Sequence, residues 1–89
     1  MIHALKTEHD FFVSVLDGEK TFEVRNNDRD FRVGDYLALN ELDERKNGYT
    51  RDSILVRVTY LLDDKRFCKD GYVIMGFEKI DEFHGGVRE

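Results

Sequence analysis

The sequence predicts a small α+β domain with a curved or closed sheet of four or five mostly antiparallel strands and one short helix. Three observations predict it. A single apolar stripe at helical spacing lies between residues 7 and 17. Alternating apolar segments follow, clearest over residues 53–62. Short polar connections containing glycine, with no proline anywhere in the 89 residues, space these segments for hairpins rather than for helical crossovers. A chain of this length forms one domain, residues 1–89, near the small end of what folds alone.

Residues 2–6 alternate and form a short first strand. Thr7 then reads as a helix N-cap with Asp10 as its first-turn acid. Phe11 with Val15, and Phe12 with Leu16, are pairs four apart on one stripe, and Gly18 is placed as a left-handed stop. A helix of about ten residues has no stability of its own and must lie on a sheet. Residues 20–26 form the next strand, with Phe22 and Val24 on a buried face and Thr21, Glu23 and Arg25 on the other. Residues 27–30 turn. Residues 35–43 are a strand with Leu37, Leu39 and Glu41 on one face. Residues 44–51 make a polar hairpin around Asn47-Gly48. In residues 53–62, Ile54, Val56, Val58, Tyr60 and Leu62 alternate strictly. Residues 63–71 are a charged connection, residues 72–80 a last, nearly continuous apolar strand, and residues 81–89 a flexible tail that frays from Gly85 onward.

Composition narrows the function. No apolar run is long enough to span a membrane, and the start of the chain lacks the basic and apolar regions of a signal peptide. Cys68 is alone, so it forms no internal disulfide and no thiolate metal site, and the expected compartment is the reducing cytoplasm. His3, His9 and His84 have no metal-ligand spacing, and neither a metal nor a cofactor is expected. The net charge of −5 argues against a surface that wraps duplex nucleic acid by releasing many counterions. It leaves room for a local pocket that takes a short strand or one nucleotide.

The densest chemistry lies in residues 18–35, a charged segment between two glycine turns. Glu23 and Arg25 are two apart on one strand, so they face the same side, and Lys20 at the strand entry reaches it too. The planar donor fork of an arginine suits phosphate, carboxylate or a base edge. The same pair, if exposed and unoccupied by function, is an ion pair worth about 0–1 kcal/mol. Arg29 and Arg32 alternate with Asp28 and Asp30, which reads as a solvated, self-clamping turn. Glu41, at the end of an apolar face, is either the arginine's partner or an acid in the cleft. Tyr49 and Thr50 sit in the hairpin, where an aromatic either stacks on a base or covers the end of the barrel.

The pattern Gly18-x-Lys20-x-x-Glu23-x-Arg25, after a short amphipathic helix and before Val33-Gly34-Asp35, resembles the ASCH domains of the PUA-like superfamily. His3-Ala-Leu5-Lys6, the run from Lys20 to Phe31, and Gly48-Tyr49-Thr50 are similar to a group of short bacterial and phage members of unassigned function. The resemblance covers about residues 2–80. It implies a PUA-like pseudobarrel of RNA-associated type with a cleft lined by the motif. The cleft floor would be Lys20, Glu23 and Arg25, with Arg29, Tyr49 and Thr50 as a rim holding RNA or a nucleotide. Some ASCH proteins are amidohydrolases that act on a modified cytidine, using the motif lysine, a threonine three residues later and a distant glutamate. Here Glu23 stands where that threonine would be, and residues 63–71 are too short for the insertion bearing the glutamate. An enzyme of this chain would need Lys20 with Glu23 or Glu41 as acid–base. A third reading is an interaction domain that binds another protein through its ionic face or a strand edge.

Overall fold

The computed structural model describes residues 1–85. Strand β1 (Ile2–Thr7) leads into helix α1 (His9–Leu16), followed by β2 (Phe22–Asn26), β3 (Tyr36–Leu42), β4 (Tyr49–Leu62) and β5 (Tyr72–His84). The five strands form one sheet in the order β1-β3-β4-β5-β2. The β1–β3 pair is parallel, as the intervening helix and strand permit, and the other three pairs are antiparallel. Strands β1 and β2 stand at opposite ends of this order, yet the Arg25 guanidinium of β2 donates to the Lys6 carbonyl of β1 at 2.6 Å. The sheet therefore curls until its two free edges are close enough for an arginine side chain to span the seam between them. The result is an α+β half-barrel, which fits the small α+β domain with a curved, mostly antiparallel sheet that the sequence predicts.

The core fills the concave face. Leu37 and Leu39 of β3, Ile54, Val56 and Val58 of β4, and Met75 of β5 are fully buried. Burying each such side chain contributes about 1.5–3 kcal/mol, which is what holds so small a sheet together. Helix α1 closes the concavity with Phe12 and Val15, and Leu16 packs beside them. Gly18 ends the helix at φ +80° while its N–H reaches the Val15 carbonyl and the next N–H reaches Ser14.

Several sequence expectations are corrected. Thr7 is the last residue of β1, buried, and its hydroxyl bonds back to the Leu5 carbonyl at 3.5 Å. Glu8 is the N-cap, and no side chain caps the eight-residue helix. Phe11 is half exposed, because only the Phe12–Val15–Leu16 face meets the sheet. Strand β2 has the opposite facing to the one predicted: Glu23 points inward and is 4% exposed, while Phe22 and Val24 point outward at 44% and 51%. In β4 the alternation breaks at a bulge, where pairing steps from Val58↔Phe77 to Tyr60↔Gly76. Tyr60 is thereby turned outward, and Leu61 packs against the core in its place. Strand β5 continues past Ile80 to His84, paired with β4 down to Asp52↔His84, so residues 81–84 belong to the sheet. The rest of the expected tail, residues 86–89, lies outside the described residues.

Candidate functional site

A cleft of about 430 Å³ straddles the free edge of β2 at the seam. One wall comes from the end of β1 and the start of α1 (Lys6, Thr7, Glu8 and Phe11). The floor and other wall come from Lys20, β2 and Tyr72 at the start of β5. The inward turn of Glu23 organises it. Lys20 Nζ donates to Glu23 Oε1 at 2.8 Å and Arg25 Nε donates to Glu23 Oε2 at 2.7 Å. Both carboxylate oxygens are thus satisfied by cations, which is the condition under which a buried charge is tolerated. This local satisfaction explains why a charged side chain displaces Phe22 and Val24 from the inner face.

Of the other donors of these side chains, that of Arg25 crosses the seam and that of Lys20 stays beside β2. Lys20 Nζ also donates to the Phe22 carbonyl at 2.6 Å, and Arg25 Nη2 to the Lys6 carbonyl at 2.6 Å. Arg29 Nη1 donates to the Ala4 carbonyl at 2.7 Å. Edge-strand carbonyls that have no neighbouring strand are met by guanidinium groups instead. Arg29 is therefore a seam latch beside the cleft, not one of its lining residues.

The cleft walls are aromatic. The Lys20 ammonium lies 5.4 Å from the Phe11 ring centre and 5.0 Å from that of Phe22, a bracket of two cation–π contacts. The sequence assigns Phe11 to the helix's apolar stripe and Tyr72 to the last strand, and points to neither as a cleft residue. For Phe11 the signal was a surplus apolar residue beside a stripe already complete without it. The backbone contributes as well. Thr21 and Asn27 bond toward β5, through Phe77 N–H and the Gly71 carbonyl. By alternation, the N–H and C=O groups of Phe22, Val24 and Asn26 face the free edge. Formally, Lys6, Lys20 and Arg25 outnumber Glu8 and Glu23 by one, so the cleft is locally positive on a chain of charge −5.

The remaining predicted residues lie elsewhere. Glu41 is buried and does not line the cleft or meet Arg25. Its Oε2 is 2.6 Å from His9 Nδ1, and its Oε1 accepts the Thr50 hydroxyl at 2.7 Å. Thr50 reaches it through an irregularity in β4, where Arg51 adopts φ +77° and the β3–β4 pairing shifts between Asn40 and Leu42. Tyr49 lines a separate groove with Asn40 and Arg51. Neither residue is a rim of the seam cleft. Buried Cys68 donates its thiol to the Leu62 carbonyl. The structure also pairs His3 Nε2 with Asp35 Oδ2 at 2.8 Å, tying β1 to the turn before β3.

These two clamps set a pH window for stability. The hydrogen bond to Glu41 is the main reason the His9 pKa is raised above its ordinary 6.5. For Asp35, burial pushes upward, but the bonds from His3 and the Arg32 backbone N–H outweigh it, so the pKa lies below 3.8. A raised histidine stabilises below its unfolded pKa, and that contribution is lost as pH rises above 6.5 through the folded value. A lowered aspartate stabilises above 3.8, and its contribution is lost as pH falls through the folded value. The melting temperature should therefore be highest between these limits. Thermal scans should show His9→Asn flattening the alkaline limb only, and an unchanged alkaline limb in that variant would refute the assignment.

Fold and cleft together define a small α+β half-barrel whose open seam is latched by arginines. Residues 2–77 match the model of a family described as a domain of unknown function, DUF3850, and the chain belongs to that family. No curated protein matches the chain. Among the described residues, no helix is long and apolar enough to cross a membrane, and no three His, Cys, Asp or Glu side chains are grouped to hold a metal ion.

Proposed function

We propose that the seam cleft binds single-stranded RNA by taking one nucleotide. The observation that carries this reading is a nucleotide-sized, aromatic-walled cleft that is locally positive on an otherwise acidic protein. A base has the exposed parts of the Phe11 and Phe22 rings that Lys20 leaves open to stack on, and the edge-facing N–H and C=O of Val24 to pair with. Its phosphate has Lys6, which makes no ion pair among the described residues, and the remaining donors of Arg25. The resemblance of the Lys20–Glu23–Arg25 motif to ASCH domains agrees with this reading. An amidohydrolase reading has one contact in its favour, the 2.8 Å approach of Lys20 to Glu23. It has less support, because a lysine base needs its lone pair free. Here Nζ donates to two oxygens and sits against two ring faces. The second candidate acid, Glu41, is occupied by His9 and Thr50.

Fluorescence anisotropy with a labelled RNA tetranucleotide tests the proposal. Phe11→Ala removes a stacking face worth about 1–3 kcal/mol, so affinity should fall by at least about fivefold. Lys6→Glu should weaken binding by about tenfold. Affinity should depend only shallowly on salt, with a slope of about −0.7 for each phosphate contacted and few contacts in all. Both side chains are exposed, so the variants are expected to fold. No binding by wild type, or equal binding by all three proteins, refutes the proposal.

A further inference from the structure

We propose that the cleft has a second subsite beyond Tyr72, so that its ligand is a chain of at least two nucleotides rather than a free mononucleotide. This rests on the reading of the cleft as an RNA site. Tyr72 lines the seam cleft and also an adjoining groove of about 340 Å³. The consecutive residues Asn26 and Asn27 line the first and the second in turn. The two depressions are therefore neighbours along β2, and Tyr72 borders both.

Past that ring the groove holds Lys69, whose ammonium lies 5.8 Å from the Tyr72 ring centre. Lys69 makes no ion pair among the described residues, so no carboxylate has to be given up when it turns to a phosphate. Lys65 is paired with Asp70 at 3.5 Å, but both side chains are more than four-fifths exposed and such a pair holds weakly. Asp63 and Asp70 balance the two lysines. The second subsite therefore works as a stacking step with one movable cation and not as a phosphate clamp. A strand whose first base enters the cleft meets Tyr72 with its next base, and the phosphate between them lies near Lys69. An aromatic ring flanked by a cation suits successive bases of any sequence.

The experiment compares uridine 5′-monophosphate with a uridine tetranucleotide, using the full chain in a competition format at one salt concentration. Wild type should bind the tetranucleotide at least about tenfold tighter than the monophosphate. Lys69→Glu should remove most of that gain and leave the monophosphate affinity within about twofold. Arg45→Glu makes the same charge change in the loop at the other end of β4 and should leave the gain intact. Equal wild-type affinity for the two ligands, or equal losses in the two variants, overturns the second subsite while the cleft reading stands. Failure to bind either ligand overturns both.

Discussion

Replacing Leu39 with alanine is expected to destabilise the fold by about 4 kcal/mol, near the upper part of the range for large-to-small core changes. Leu39 is fully buried in β3, a strand paired on both sides, with Leu5 of β1 and Ile54 of β4 as its register partners. Neither neighbouring strand can move into the void without breaking its own ladder, so the cavity stays open. An 89-residue domain has total stability on the order of 5–15 kcal/mol, and the melting temperature should drop by about 20 °C. Leu39→Met keeps the volume and should lose less than about 1.5 kcal/mol. Urea denaturation measures both. A loss below about 1 kcal/mol for the alanine variant would mean that the sheet relaxes around the site, contrary to its two-sided pairing.

What could be read from the chain, and what could not, divides along a physical line. Apolar periodicity reports the period of a strand, and it placed all five strands and the helix. It does not report phase. In β2 the phase was decided by Lys20 and Arg25, which satisfy Glu23 so fully that the carboxylate takes the inner face and Phe22 and Val24 the outer. In β4 the bulge after Val58 shifted the phase in the middle of a strand, and nothing in a strictly alternating sequence announces that. Local pairs in the motif were legible because they are two and three residues apart. The His9–Glu41 and His3–Asp35 contacts each span 32 residues and exist only because β1 and the helix start lie against β3 and its preceding turn. A cleft does lie against residues 20–25, the segment in which the motif is read. Tyr49 and Thr50 do not border it, because they belong to the far end of β4, whereas the curl of the sheet brings in Phe11 and the ladder pairing with Asn26 brings in Tyr72.

Removing the carboxylate at the centre of the cleft separates stability from binding. Glu23→Ala leaves Lys20 and Arg25 facing each other with their common acceptor gone. Breaking a buried ion pair from one side costs about 3–5 kcal/mol, and the lower end applies here because Lys20 and Arg25 retain 15% and 27% exposure. Glu23→Gln restores the shape but presents one oxygen and one N–H₂ group to two donors, so it should recover only part of the loss. Replacing the whole constellation with apolar residues of similar volume (Lys20→Met, Glu23→Leu and Arg25→Met together) removes the desolvation cost along with the pairs. That variant should recover much of the stability lost in Glu23→Ala when measured in urea, short of the Arg25 bond to the Lys6 carbonyl that it also removes. It should also lose RNA binding, since the local positive charge of the cleft is gone while Phe11, Phe22 and Tyr72 remain. If the triple variant folds stably and binds the tetranucleotide as well as wild type does, Lys20, Glu23 and Arg25 only brace the seam of the half-barrel, and the ligand site lies elsewhere.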